Sequence, residues 1–195
     1  DAFVPAHRTH RSKDGFATTN PGAQHNPGPL YKLPFGQVFV RAVSSSSIGA
    51  LQGALDTFIA TGAKRKSNNT LSSIATDPDV QGLIAETKSA IDEMKTILSR
   101  TFGVLNAFAR KGEQADLEPR LRFRYQSAQI SGRCAELISR IFYLSGADGL
   151  YRGNVIARTF CDIHAGRTHV ANNPNSVGRN FGGVMLGAPN TDSFI

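Results

Sequence analysis

The sixteen residues from Arg158 to Asn173 contain two His, one Asp, two Arg and two Asn. In a continuous helix, Arg158, Asp162 and His169 fall on one stripe, with Arg158 and Asp162 one turn apart. This spacing predicts an ion pair beside a histidine, the side chain that most readily transfers protons near neutral pH. The stretch therefore predicts either a proton-transfer site or the solvated polar face of an amphipathic helix.

The sequence predicts no metal site. His164 lies five residues before His169, about 140° around a helix, whereas a metal-binding pair needs i, i+4 spacing. Cys134 and Cys161 each lie in an apolar helical pattern without a CxxC neighbour, which is typical of free cysteines. We therefore expect His164 to be structural and neither cysteine to bind a metal.

Composition places the chain among globular proteins and argues against two classes of partner. The 195 residues are 40% hydrophobic and 19% charged, and the formal net charge is +7. No apolar run approaches the about 20 residues of a membrane span. The basic residues are spread along the chain, apart from clusters at 64–66 and 120–124, and a spread charge is weak evidence for nucleic-acid binding. We expect a cytoplasmic protein that binds neither nucleic acid nor membrane, with residues 120–124 either solvated or contacting an anionic cofactor.

Long helices account for most of the chain after residue 30. Residues 1–30 are rich in Pro, Gly and Asn, which predicts a short strand followed by an irregular linker. Apolar spacing predicts helices from Pro34 to about Gly62, from Asp77 to about Arg110, from about Asp116 to Leu144, and from about Asn154 until Pro174, with a short last element over 181–186.

These elements predict an all-α, up-and-down four-helix bundle over residues 31–195. Small residues at 44–47, 49 and 53 in the first helix allow close approach, either of another helix or of a flat ligand. Helices of this length commonly pack against sister subunits, so we expect an oligomer.

Several motifs appear in an order that resembles one protein family. Gly146-Ala-Asp-Gly149 precedes Arg158 by nine positions, and Arg158-x-x-x-Asp162 follows. Phe3-Val4-Pro5 and the small-residue stretch 49–55 lie upstream. Together they resemble the C-terminal helical domain of the acyl-CoA dehydrogenase superfamily, specifically the branch of two-component flavin-dependent aromatic hydroxylases (group D monooxygenases).

One position distinguishes the branches of that superfamily. Many acyl-CoA dehydrogenases carry a catalytic Glu eight residues after the Asp of the signature, where this chain has Val170. His169 falls where the hydroxylases carry an active-site His. The resemblance therefore implies a monooxygenase that hydroxylates a phenolic ring through a flavin C4a-hydroperoxide, with His169 as its catalytic residue. An acyl-CoA dehydrogenase with a displaced base and a non-catalytic basic helical module stay open as alternatives.

The resemblance also implies cofactors, partners and site residues. A separate flavin reductase would supply reduced FMN or FAD, O₂ would be the co-substrate, and the enzyme would be a homotetramer. The residues that the resemblance places at the flavin are Arg41, Gly146, Gly149, Asn172 and Asn173, with Arg158 and Asp162 in support.

The match is to the last half of such an enzyme. It implies that residues 1–30 are the end of a preceding β domain and its linker. We therefore expect the chain to be incomplete for activity by itself, as a fragment or as a split subunit.

Overall fold

Four long helices and several short ones make up the protein, in a computed structural model that describes residues 1–11, 14, 21–67 and 72–195. The α-helices are α1 Pro21–His25, α2 Phe35–Gly62, α3 Pro78–Lys111, α4 Leu117–Leu144, α5 Val155–Arg167 and α6 Pro174–Met185. Short 3₁₀ helices are Ala6–Arg8, Pro29–Lys32, Ile74–Thr76, Gly146–Leu150 and Val170–Asn172. None of the described helices is long and apolar enough to cross a membrane.

Local signals set the ends of α3, as the sequence predicts. The Asp77 carboxylate accepts hydrogen bonds from the backbone N–H groups of Asp79 (2.9 Å) and Val80 (3.2 Å), which otherwise lack helical partners. Gly112 ends the helix with φ +77°, a conformation that glycine adopts without steric penalty.

The four-helix bundle is confirmed, and α4 lies at its centre. This helix packs against α2, α3, α5 and α6. Two serine pairs join α2 to α4 inside the bundle: the hydroxyls of Ser44 and Ser127 lie 2.8 Å apart, and those of Ser47 and Ser131 lie 2.9 Å apart. Ser44 and Ser47 of the small-residue stretch in α2 therefore serve close helix packing, whereas Ser45 and Ser46 are exposed.

The predicted N-terminal strand is wrong. Residues 1–5 have no regular structure, and Phe3 is 91% exposed. A strand needs a neighbouring strand to pair its backbone groups, and no strand forms within 1–11, 14, 21–67 and 72–195. The predicted linker contains α1 and a 3₁₀ turn, and its residues 12, 13 and 15–20 lie outside the described part.

The prediction of one helix from Asn154 to Pro174 is also wrong. Helix α5 ends at Arg167, and Pro174 begins α6 instead of only ending its predecessor. The Asn173 side chain accepts from the backbone N–H groups of Asn175 (3.1 Å) and Ser176 (3.4 Å). A capping Asn followed by Pro at the first helical position starts a helix, which makes α6 longer than the predicted element at 181–186.

The two cysteines are expected to differ sharply in reactivity. Cys134 is buried, and burial raises the pKa of its thiol to about 12, whereas Cys161 is exposed. Only the thiolate reacts with alkylating agents. We expect iodoacetamide at pH 8 to modify Cys161 alone in the native protein and both cysteines in guanidinium chloride, as counted by mass spectrometry. Fast labelling of native Cys134 would contradict this packing.

Candidate functional site

His169 lies in a tight turn between α5 and α6, and one nitrogen of its ring is hydrogen-bonded to the backbone. The residue is extended (φ −62°, ψ 139°), and it caps the 3₁₀ helix Val170–Asn172. Its Nδ1 accepts a hydrogen bond of 3.1 Å from the Ala171 backbone N–H. Because an accepting Nδ1 carries no hydrogen, the neutral imidazole holds its proton on Nε2.

An aromatic cluster adjoins the exposed His169 ring. Phe39 of α2 meets the imidazole edge-on, with centroids 5.7 Å apart. Phe39 also stacks on Phe35 at 5.2 Å and on Phe194 of the C-terminal segment at 6.1 Å. Aromatic faces and edges of this kind pack favourably against another planar ring. The site therefore pairs a hydrogen-bond donor with surfaces suited to an aromatic ligand.

Two buried arginines lie at the same end of the bundle. Arg41 of α2 is 4% exposed and Arg124 of α4 is 3% exposed. Arg41 Nη1 donates to the Gln37 carbonyl (2.5 Å) and to Gln37 Oε1 (3.1 Å), while its Nε and Nη2 have no hydrogen-bond partner among the described residues. Burial, together with the charge of Arg124, lowers the pKa of Arg41 to about 10. A buried cation with spare donors is suited to an anionic ligand.

Asn172 and Asn173 have different environments. Asn172 is 1% exposed, and its Nδ2 donates to the Gly166 carbonyl at 2.8 Å. Its Oδ1 finds no donor in the part of the chain that the structure describes. Asn172 Oδ1 is buried with an unused lone pair, whereas the Asn173 side-chain oxygen already caps α6.

Gly146 and Gly149 lie at the opposite end of the bundle. Both follow α4. Gly146 lines a cleft of about 480 Å³ with Arg65, which follows α2 and donates to the Ser145 carbonyl at 2.9 Å, whereas Gly149 is buried against Phe142. At about 1.5 Å per residue, α2 extends about 30 Å from Arg41 to its end. The structure therefore divides the predicted cofactor residues into two groups, which lie at opposite ends of the bundle.

The predicted stripe of Arg158, Asp162 and His169 does not form. Arg158 and Asp162 do pair at 3.6 Å within α5, but their side chains are 85% and 64% exposed. His169 lies beyond the end of α5, so helical spacing no longer relates it to them. An exposed pair of this kind contributes little to stability.

His164 of α5 is half-buried against α4. Its Nε2 lies 3.0 Å from the Ser139 hydroxyl, and its ring centroid lies 4.4 Å from that of Phe160. Ser139 also donates to the Ala135 carbonyl at 2.6 Å. No group of three or more His, Cys, Asp or Glu side chains in the described ranges could hold a metal ion. These contacts support a structural role for His164.

The sequence prediction missed the neighbours of His169 and Arg41. As part of the basic cluster at 120–124, Arg124 is predicted from sequence to be solvated or to contact an anionic cofactor. Yet it lies three residues after Leu121 and four before Ala128, both fully buried. That i, i+3 and i, i+4 spacing places Arg124 on the core-facing stripe and could have revealed its burial.

Comparisons with known proteins agree with this architecture. A family model described as "Acyl-CoA dehydrogenase, C-terminal domain" matches residues 42–174. The oxygenase subunit HsaA of a flavin-dependent monooxygenase from Rhodococcus jostii (strain RHA1) is 33% identical over 196 residues, covering 100% of this chain and 51% of that protein. The chain thus spans about half the length of the curated relatives it matches.

Solved structures show the same fold. The crystal structure of 3-HSA hydroxylase from Rhodococcus sp. RHA1 has a TM-score of 0.89 and 32% identity, covering 100% of this chain and 50% of that one. XiaF from Streptomyces sp., in complex with FADH2 and glycerol, has a TM-score of 0.84 at 18% identity over 98% of this chain and 48% of its own, which shows the fold alone. Because the family model covers most of the chain and the bundle is the same, the chain belongs to the family of acyl-CoA dehydrogenase C-terminal domains.

Proposed function

We propose that the chain is the C-terminal part of a flavin-dependent monooxygenase that hydroxylates a phenolic ring. The observation that carries the proposal is His169, whose Nδ1 is held by the Ala171 N–H beside Phe39. That arrangement leaves an Nε2–H donor next to an aromatic surface. The flavin-dependent monooxygenase name of the 33% identical relative supports the same reaction class.

His169 would act as a donor at the substrate oxygen. A neutral imidazole with its proton on Nε2 donates a hydrogen bond to a phenol or phenolate oxygen and so stabilises phenolate character, whereas giving the proton away would leave an unfavourable imidazolate. The Nδ1 contact therefore favours hydrogen-bond donation by His169 over proton abstraction. Phe39 and Phe194 would hold the ring of the substrate.

Arg41 and Asn172 fit the flavin that this reaction requires. The remaining donors of Arg41 would hold a phosphate, and Asn172 Oδ1 would accept a hydrogen bond from the edge of the flavin ring. Reduced FMN or FAD, supplied by a separate reductase, activates O₂ when it is bound. The side chain of Asn173 would act on this site indirectly, by fixing the start of α6.

A homotetramer would explain the division of the predicted cofactor residues. Gly146 and Gly149 lie about 30 Å from Arg41 along the bundle, so a site that uses both groups would take them from different copies. In the same proposal, residues 1–30 connect the bundle to a preceding β domain. Arg158 and Asp162, exposed on α5, would then meet another subunit or domain.

The test is reductase-dependent oxygen incorporation by the full-length protein. With a flavin reductase, NADH and ¹⁸O₂, we expect one ¹⁸O atom in the product of a phenolic substrate, as measured by mass spectrometry. Dependence on both the reductase and the oxygenase is the control. Bleaching of bound flavin by an acyl-CoA without reductase, and no hydroxylated phenol, would overturn the proposal in favour of a dehydrogenase.

A further inference from the structure

The Arg124 side chain connects three parts of the protein at the end of the bundle where His169 lies. From α4, its Nη1 donates to the Ala171 carbonyl at 2.7 Å, and its Nε lies 3.4 Å from a carboxylate oxygen of Asp192. Phe194, two residues after Asp192, stacks on Phe39. One guanidinium thus contacts both the turn that holds His169 and the segment that holds Phe194.

Ala171 links Arg124 to the imidazole of His169 by two hydrogen bonds. Its carbonyl accepts from Arg124, and its N–H donates to His169 Nδ1. Both backbone polar groups of one buried residue are therefore held, one by each side chain. A shift of Ala171 would break the hydrogen bond that selects the Nε2–H tautomer of His169.

The stability of the bundle does not by itself explain a charge at this position. Arg124 is 3% exposed, and burial lowers its pKa although the Asp192 carboxylate acts in the opposite direction. A buried ion pair seldom stabilises a fold more than apolar residues of similar volume do. A guanidinium offers both planar donors and a charge, which lets Arg124 donate to the Ala171 carbonyl while it forms an ion pair with the Asp192 carboxylate.

We propose that Arg124 is a positioning residue for His169: through Ala171 it fixes the ring and its tautomer, and through Asp192 it seats the C-terminal aromatic segment beside that ring. The link to catalysis rests on the proposed monooxygenase function. The link to the tautomer rests on geometry alone.

The experiment separates these two links. We expect Arg124→Met to change the ¹⁵N NMR signals of the neutral His169 imidazole from a single Nε2–H tautomer to a mixture, with His169→Asn used to assign the signals. In the full-length enzyme, we expect kcat for hydroxylation to fall by about 10- to 100-fold, with more peroxide released per flavin oxidised. Asp192→Asn, the matched variant, keeps the Ala171 contact and should preserve the tautomer.

Arg124→Lys covers the case in which the Met variant does not fold. It keeps the charge but not the planar fork, so we expect an intermediate tautomer ratio and partial rescue of kcat. The proposal would be overturned if Arg124→Met folds and keeps both the single Nε2–H tautomer and the wild-type amount of peroxide released per flavin oxidised. If that variant does not fold, the same result in Arg124→Lys would overturn it. If the wild-type enzyme hydroxylates no phenol, the function fails while the NMR result still decides the role of Arg124.

Discussion

Replacing His169 with Asn is expected to lower kcat for hydroxylation by about 10²- to 10³-fold, the usual contribution of one preorganised hydrogen-bond donor at a reacting oxygen. Asn is the informative substitution because His169 caps the 3₁₀ helix Val170–Asn172 through Nδ1. The Asn side-chain oxygen can accept the same Ala171 N–H, as Asn commonly does at helix starts. The variant therefore removes the imidazole Nε2–H while it preserves the turn.

The measurement is product formation and peroxide release by the full-length enzyme with reduced flavin supplied. We expect peroxide to replace product, because oxygen is still consumed without productive transfer. His164→Asn is the matched control: His164 contacts Ser139 inside the bundle, so we expect a modest loss of stability and little change in kcat. Unchanged hydroxylation and peroxide release in His169→Asn would remove His169 from the mechanism.

Replacing Arg41 with Met is expected to weaken binding of reduced flavin by about 10- to 100-fold. This range follows from the about 1.5–3 kcal/mol of a hydrogen bond to a charged group. The same change should leave the Tm unchanged or raise it, because it removes a buried cation that has spare donors. A functional cation would thus be recognised by opposite effects on affinity and stability.

The affinity would be measured by anaerobic titration of the full-length protein, and the Tm by calorimetry without flavin. Arg140→Met removes one positive charge elsewhere, since Arg140 is half exposed and pairs with Glu86 at 2.7 Å. We expect this control to leave the flavin Kd unchanged. A lower Tm together with an unchanged Kd in Arg41→Met would instead show that Arg41 is structural.

The predicted helices followed from signals that act over one or two turns. Asp77 begins α3 and Gly112 ends it, because capping and a left-handed backbone conformation depend on adjacent residues only. The same local reasoning failed at Arg167, where apolar and polar spacing continued past the real end of α5. The sequence pattern at Asn173-Pro174 predicts the end of a helix, although these residues cap and start the next helix.

The sequence by itself determined the four-helix bundle, the resemblance to the acyl-CoA dehydrogenase C-terminal domain and His169 as the best catalytic candidate. Only the tertiary structure decided that Arg41 and Asn172 lie near the His169 turn, that Arg124 holds this turn, and that Gly146 and Gly149 lie at the other end. The physical reason is that hydrophobic periodicity shows which face of a helix is buried but not which residues of other helices meet it there. How the helices pack sets these contacts, among them the hydrogen bond of Arg124 to the carbonyl of Ala171, whose N–H donates to His169 Nδ1.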